Sequence, residues 1–362
     1  MSRLAVFAAA IAVTLVAAAT GGAARHPAHP GRSADNVRAY TVTDLGTLGG
    51  TTSSATGVNA QGWVVGYSAI AGDAASHGFL WRHGVMTDLG TLPGGTNSRA
   101  NAINDLGQIV GSSDALTPSA NAAGQVVAPQ AFLYSHGKLT DIDPDTQLSY
   151  TPGSWAYAIN DAGQVVGDVL APSGDSHAFL YSGGSFATLA ISGDEPQARG
   201  INRRGAIVGS TFVDASPPFV FAGGTQTNLG SAPGQAEAIN ARGTVAGWAQ
   251  VAGGYHHAFL GTAASLTDLG TLGGLMSQAN AVSNTGDAVG TADVAAGAAH
   301  AFLYWHGVMS DLNSAIPAAS GWVLESATGV NSEGEIVGVG TVNGVEHAFL
   351  LVPKGPHRRA NG

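Results

Sequence analysis

Short apolar runs alternate with turn residues along most of the chain, and the alternation repeats. One phrase, Ala-x-(Ala/Gly)-(Ile/Val)-Asn followed by two residues, Gly and an apolar group ending in Gly, first occupies Ala55–Gly66 and last Ala327–Gly338. Its anchor positions are Asn59, Asn104, Asn160, Asn202, Asn240, Ser283 and Asn331. Further apolar phrases follow each copy, such as His177-Ala-Phe-Leu-Tyr181. Four strand-length runs in about 40–45 residues predict one four-stranded propeller blade per copy.

The two ends of the repeat region decide between a closed ring and a stacked solenoid. The chain opens with an unmatched fourth strand, Tyr40–Gly46, and closes on a third strand, His347–Leu351, that no fourth strand follows. Pairing the first with the last completes seven blades and hides two sheet edges. We therefore predict an all-β, seven-bladed propeller of four-stranded antiparallel blades, closed by the N-terminal strand joining the last blade, with a solenoid as the structural alternative.

Composition narrows the function. Glycine is abundant, with 53 of 362 residues, and only 10% of residues are charged, while 44% are hydrophobic. This content argues for a folded chain rich in strands and tight turns. A formal charge of −10 argues against nucleic acid as a partner, since phosphate binding needs a basic surface. The absence of cysteine excludes disulfides and thiolate metal sites.

The N-terminal residues predict export. Met1-Ser2-Arg3 precedes an apolar run from Leu4 to Ala19 and then small residues, which is typical of a secretory signal peptide. We expect residues 1–24 to be the signal peptide, 25–38 a flexible spacer, 39–352 the propeller and 353–362 a disordered tail. The protein is thus expected to be secreted, extracellular and monomeric, without a membrane span after cleavage.

The repeated triplet His-Ala-Phe, at His177, His257, His300 and His347, resembles the HAF-repeat extracellular proteins of bacteria. The accompanying phrase Asp-Leu-Gly-Thr-Leu-Gly-Gly stands at Asp44–Gly50 and again at Asp268–Gly274. The resemblance spans residues 40–351 and implies secretion and a repetitive β fold. It implies no established activity, so no catalytic residue is transferred from it.

Motifs with possible chemistry favour structural roles. In Asn-x-x-Gly, Asn can bond the turn backbone and Gly can take the left-handed conformation. Histidine and aspartate recur eleven residues apart, as in His77/Asp88, and ring closure would bring His347 to Asp44. Because this pair recurs around the ring, a clip between outer strands is favoured over a proton-transfer pair. Asp141, Asp143 and Asp145 lack the rest of a calcium-loop pattern.

No nucleophile elbow, phosphate loop or dinucleotide fingerprint is present in the sequence. We therefore predict no catalytic residues, no metal and no cofactor. Glu195, Glu237 and Glu325 are the plausible acids of an enzymatic alternative, and no two of them are convincingly spaced for glycoside chemistry.

Loop variation indicates where a ligand would bind. The four strands of each predicted blade are named a to d in chain order. The a–b and c–d turns are short and uniform on one face, whereas the b–c and d–a loops vary on the other. Variable loops on a rigid scaffold usually carry binding. The predicted ligand-binding residues on that face and in the variable position of the first strand are Tyr150, Trp155, Tyr157, Arg199, Glu237 and Trp322.

Three functions remain open from the sequence. The first is a secreted, non-catalytic binding or scaffold propeller that recognises an extracellular glycan or protein through its loop-rich face. The second is an extracellular polysaccharide hydrolase or lyase on a propeller scaffold. The third is a purely structural component of a surface or matrix.

Overall fold

The computed structural model describes residues 38–118, 125–143, 153–171, 174–211 and 216–355. In these residues, 28 strands form seven four-stranded antiparallel sheets, which are the blades of a propeller. Blades 1 to 6 each contain four consecutive strands, named a to d in chain order. The a strands contact one another around the ring, so they lie nearest the axis. Within the described ranges, helix is confined to two short 3-10 turns, Leu312–Ala315 and Ala318–Ser320.

The strands follow the repeat. Blades 1 to 3 contain β2 (Gly49–Val58), β3 (Val64–Ile70), β4 (Ser76–Arg82), β5 (Val85–Asp88), β6 (Ser98–Ile103), β7 (Ile109–Pro118), β8 (Gln125–Ser135), β9 (Lys138–Asp141), β10 (Ser154–Ile159), β11 (Val165–Leu170), β12 (Ser176–Ser182) and β13 (Ser185–Thr188). Blades 4 to 6 contain β14 (Pro196–Ile201), β15 (Ile207–Thr211), β16 (Phe219–Ala222), β17 (Thr225–Asn228), β18 (Gly234–Ile239), β19 (Val245–Gln250), β20 (His256–Thr262), β21 (Ser265–Asp268), β22 (Gly273–Val282), β23 (Ala288–Val294), β24 (Ala299–Trp305) and β25 (Val308–Asp311). Blade 7 contains β26 (Trp322–Val330), β27 (Ile336–Val342), β28 (Val345–Pro353) and β1 (Tyr40–Asp44).

Closure of the ring is confirmed. The N-terminal strand β1 pairs antiparallel with β28, from Tyr40 opposite Pro353 to Asp44 opposite Phe349. The pairing continues one step further, where Lys354 N donates to Ala39 O at 2.7 Å. Tyr40 is fully buried against the core of blade 7. The first described strand therefore completes the last sheet, as the unmatched ends of the repeat predict.

In each blade a phenylalanine of strand c lies opposite a glycine of strand b and packs into the core. Phe79 lies opposite Gly66 and Phe179 opposite Gly167, and both rings are buried. A Cβ at Gly167 would stand 1.8 Å from the Trp155 carbonyl oxygen of strand a and 2.8 Å from the Phe179 ring. Only glycine fits there, which explains why the apolar group of strand b ends in glycine.

The Asn-x-x-Gly turns build a ring of hydrogen bonds at one end of the channel. Each buried asparagine accepts bonds from its own turn, as Asn104 Oδ1 does from Leu106 N and Gln108 N. Its amide then donates to the backbone of the next blade, as Asn104 Nδ2 does to Asn160 O at 3.0 Å. The same inter-blade bond is made by Asn59, Asn160, Asn202, Asn240 and Asn331. The predicted structural role of this motif is confirmed and extended, since the motif also joins blades.

Ser283 replaces asparagine in blade 6. Its hydroxyl still accepts from Thr285 N and Asp287 N, so the turn is kept. The short side chain makes no bond to Asn331 O, and the seam between blades 6 and 7 is the one where the described residues lack this link.

Two further kinds of contact stabilise the blades, one within a sheet and one between neighbouring sheets. The predicted histidine–aspartate clips form, with His77 Nδ1 2.9 Å from Asp88 Oδ2 and His347 Nδ1 2.9 Å from Asp44 Oδ2 across the closure. A serine clip, which the repeat pattern did not predict, joins neighbouring blades. Ser98 Oγ accepts from Gly78 N at 2.9 Å and donates to Gly90 O at 2.6 Å.

Candidate functional site

A β-bulge interrupts strand a of every blade at one equivalent position. The ladder with strand b skips a residue there, as between Ala156 and Ala158. Bulges re-aim a side chain, and here they do so on the strand nearest the axis. The seven bulge residues, which are the variable positions recognised in the sequence, are Thr56, Asn101, Tyr157, Arg199, Glu237, Asn280 and Thr328.

Four bulge residues serve the ring itself. Thr56 Oγ1 donates to Ala100 O and Asn101 Nδ2 to Ala156 O, both at 2.8 Å. On the other side of the closure, Asn280 Nδ2 donates to Ala327 O and Thr328 Oγ1 to Ala55 O, both at 2.9 Å. These side chains bind the next blade's first strand, so they are structural.

The other three bulge residues belong to consecutive blades and bond differently. The Arg199 guanidinium lies 4.3 Å from the centre of the Tyr157 ring. Its Nε and Nη2 donate to Gln197 Oε1 at 3.2 and 2.8 Å. Glu237 Oε1 accepts from Gln278 Nε2 of the following blade at 3.0 Å. We call Tyr157, Arg199 and Glu237 the channel cluster.

The channel cluster leans toward the loop-rich end. Gln197, which accepts the bonds from Arg199, lies near the start of β14, two residues before Arg199 and close to the preceding d–a loop. The Tyr157 hydroxyl reaches in the same direction, donating to Asp168 Oδ2 at 3.2 Å, and Asp168 is paired with Trp155. These side chains therefore point to the face that the loop variation predicts for ligands.

Burial sets the electrostatics of the cluster. Desolvation raises the pKa of Asp168 to about 6, although the neighbouring Arg199 charge and the Tyr157 hydroxyl oppose the rise. Desolvation likewise raises the pKa of Glu237 against the opposing Arg199 charge. The pKa of Tyr157 is raised by burial and then by Asp168. Arg199 thus compensates two largely desolvated carboxyl groups without forming an ion pair with any carboxylate of the described chain.

A second arginine stands over a tyrosine on the same side of the channel. Arg99 lies 4.4 Å from the centre of the Tyr67 ring, and both Arg99 and Arg199 act electrostatically on the Tyr157 hydroxyl. Arg99, Tyr67 and Asp168 were not among the residues predicted from the sequence. Arg99 could have been found, since it precedes the bulge residue Asn101 by two positions on the same strand.

The remaining predicted ligand-binding residues do not join the cluster as a group. Trp155 is partly exposed on β10, beside the cluster. Trp322 stands edge-on to Phe349, with ring centres 6.1 Å apart, and packs against the core of blade 7. Tyr150 lies outside the described residues. The structure therefore brings Tyr157, Arg199 and Glu237 together, with Trp155 nearby, and places Trp322 in a different blade.

A cavity of about 330 Å³ lies at the opposite mouth of the channel. Its wall is the ring of Asn-x-x-Gly turns, with Asp105, Asp161 and Arg203 on its rim. Some rim groups serve the ring, because Asp105 Oδ1 accepts from Ala60 N and Asp161 Oδ1 from Asp105 N. This mouth is lined by the repeated asparagines with Ser283 and by the position that follows each of them. That second position varies from blade to blade, as Ala60, Asp105, Asp161, Arg203, Ala241, Asn284 and Ser332.

The acids of the enzymatic alternative lie apart along the chain. Glu195 precedes blade 4, Glu237 belongs to blade 5, and Glu325 of blade 7 accepts a hydrogen bond from the Thr341 hydroxyl. No hydrogen bond joins any two of them within the described ranges. Among those same residues, no group of three or more histidine or acidic side chains is arranged to hold a metal ion. Asp141 caps its own turn by accepting from Asp143 N, and Asp145 lies outside the described residues.

Over the part of the chain that the structure covers, no helix has the length and apolar character needed to cross a membrane.

Among the comparisons with known proteins, one solved structure is similar enough to bear on the fold. No family model matches the chain, and no curated protein does. The structure of YCF48 bound to D1 peptide is similar over 90% of this chain and 98% of that one, with 13% identity and a TM-score of 0.50. Two further structures have lower TM-scores. Acylaminoacyl peptidase of Pyrococcus horikoshii has 10% identity and a TM-score of 0.47, with 85% of this chain and 52% of that one covered. TolB of Acinetobacter baumannii has 10% identity and a TM-score of 0.40, with 85% of this chain and 65% of that one covered. At such identity the first likeness shows a shared propeller fold and nothing further.

Proposed function

We propose that this protein is a secreted, non-catalytic binding propeller that recognises an extracellular protein or peptide at the loop-rich mouth of its channel. One observation carries the proposal. Four of the seven bulge side chains donate a hydrogen bond to the first strand of the next blade. Tyr157, Arg199 and Glu237, in three consecutive blades, do not make this inter-blade bond in the described chain. A rigid ring with one differentiated sector is the arrangement expected of a binding scaffold.

The chemistry of this sector suits recognition. An aromatic ring supplies contact area, and an arginine, a carboxyl group and side-chain amides fix orientation. The fold neighbour YCF48 is known with a D1 peptide bound, which supports a polypeptide as ligand for a propeller of this length. Secretion rests on the N-terminal sequence, and membership of the HAF-repeat proteins on the recurring His-Ala-Phe triplet.

An extracellular glycan is the second candidate. Gln197, Gln235 and Gln278 occupy matching places on neighbouring first strands. Gln197 and Gln278 bond to members of the cluster, and amides beside an aromatic ring also suit hydroxyl-rich ligands.

The test is retention on the immobilised mature protein of extracellular proteins, their peptide digests and a glycan panel. We expect a polypeptide to be retained, and to be lost in Arg199→Ala but not in Arg203→Ala. The second variant makes the same change on the rim of the opposite mouth and is the matched control. Retention of glycans alone would favour the second candidate. New reducing or unsaturated ends would show catalysis, and equal loss in both variants would reject the proposed face.

A further inference from the structure

Two arginine–tyrosine stacks border the loop-rich part of the channel. Arg99 stands over Tyr67 at 4.4 Å and Arg199 over Tyr157 at 4.3 Å. The two pairs come from blades 1 and 2 and from blades 3 and 4. Both arginines lie on first strands, Arg199 at the bulge of β14 and Arg99 two residues before the bulge of β6, and both charges act on the Tyr157 hydroxyl. Only 14 of the 362 residues are lysine or arginine, which makes two in one place a local concentration of positive charge.

Stacking orients an arginine for binding through its edge. A guanidinium whose face covers a ring keeps its N–H groups in the plane, where they match the two oxygens of a carboxylate. The bonds from Arg199 Nε and Nη2 go to the neutral amide oxygen of Gln197. The guanidinium has further N–H donors besides these two. The ion pairs shown between described residues all join histidine to aspartate, so neither Arg99 nor Arg199 lies within ion-pair distance of a carboxylate there.

The nearby acids do not cancel this charge fully. Asp168 is buried behind Tyr157 and already accepts a hydrogen bond from its hydroxyl, while Glu237 accepts from Gln278. Burial raises the pKa of both carboxyl groups, which weakens but does not remove their negative charge at neutral pH. Arg99 is exposed and Arg199 is partly exposed, so both guanidinium groups are accessible to an incoming group.

Resting on the proposed function, we propose that the loop-rich mouth holds a carboxylate of the bound polypeptide, an acidic side chain or a C-terminus, against Arg199 and Arg99. The overall charge of −10 opposes approach of an acidic segment from a distance. Salt screens that repulsion beyond about 10 Å, whereas a short contact inside the channel is screened much less.

The test uses labelled peptides of alternating glycine and glutamate, or glycine and glutamine, and measures fluorescence anisotropy with the mature protein. We expect the glutamate peptide to bind at least about ten-fold more tightly, since a hydrogen bond to a charged carboxylate is stronger than one to a neutral amide. Arg199→Gln should remove that preference. Arg82→Gln is the matched control, because Arg82 stacks over Trp63 at 5.2 Å beside the short turns and has the same charge.

Tyr157→Phe tests the hydroxyl separately from the stack and the charge. It keeps the ring under Arg199 and removes only the hydroxyl, so the preference for glutamate should persist. Melting temperatures establish that each variant is folded. Equal binding of both peptides, an unchanged preference in Arg199→Gln, or binding of oligogalacturonate without binding of the glutamate peptide would overturn the inference. If polypeptides are retained without preference for carboxylates, this inference fails while the proposed function stands; if none is retained, both fail.

Discussion

The two ends of strand a make an instructive comparison, because the same seven strands serve both. At the short-turn end, asparagine occupies six of seven copies, and its amide bonds to the next blade each time. Three residues away, at the bulge, the same strands carry threonine, asparagine, tyrosine, arginine or glutamate. The asparagine position is repeated and bonds one blade to the next. The bulge position varies, and three of its seven side chains, Tyr157, Arg199 and Glu237, do not make an inter-blade bond of this kind in the described chain.

Both ends of strand a depend on closure of the ring by β1 and β28, so removing β1 should have the largest effect on stability. Deleting residues 40–46 removes β1, its five backbone pairs with β28 and the fully buried Tyr40. We expect the free energy of unfolding to fall by about 5 kcal/mol or more, since loss of one buried aromatic side chain alone costs about 3–5 kcal/mol. Chemical denaturation measures it, with truncation after Gly355 as the control. An unchanged midpoint would contradict closure as a source of stability.

The short-turn end is tested by Asn104→Ala. The substitution removes the buried bond to Asn160 O and leaves Leu106 N and Gln108 N, which bond in a part-buried turn, without their side-chain acceptor. We expect a loss of about 3 kcal/mol, because each unsatisfied buried group costs about 1–3 kcal/mol. Ser283→Ala, in the copy that lacks the inter-blade bond, should cost less in the same denaturation experiment. Equal losses would remove the distinction between these seams.

The loop-rich end is tested by Asp168→Asn as a function of pH. The folded pKa of about 6 lies above the ordinary value, so folding disfavours the charged form. This cost is absent below about pH 4, grows between about pH 4 and 6 and is complete above about pH 6. The variant should therefore be more stable than the parent at about pH 8, by up to about 2–3 kcal/mol, and no more stable at about pH 4. A pH-independent difference would show that Asp168 is not the group responsible.

The smallest effect is expected from repairing the irregular seam. Ser283→Asn supplies an amide that can reach Asn331 O, as the asparagines of the other blades reach their neighbours. A net gain of about 0.5–1.5 kcal/mol in unfolding free energy is expected for one added hydrogen bond. Asn284→Ser, at the next position of the same turn, should not give this gain. A destabilised Ser283→Asn would mean that this seam has a different geometry.

Most of the fold could be predicted because its signals are local and repeated. The unmatched ends predicted that β1 joins β28, and the eleven-residue spacing predicted the contact of His77 with Asp88. The candidate site was only partly predictable. The variable strand position identified Tyr157, Arg199 and Glu237, but Asp168 and Tyr67 reach the site from strand b, and sequence spacing gives no register between neighbouring blades. Trp322 was grouped with the site because it is aromatic, whereas it packs on Phe349.

The most direct test of this division compares two variants of one strand and its turn in blade 4. Arg199→Ala should abolish retention of the polypeptide partner and change unfolding free energy little. Asn202→Ala, three residues further, should lower unfolding free energy by about 3 kcal/mol and leave retention by the folded protein intact. Measuring both properties in both variants would contradict the account if Asn202→Ala lost retention while folded, or if Arg199→Ala kept it.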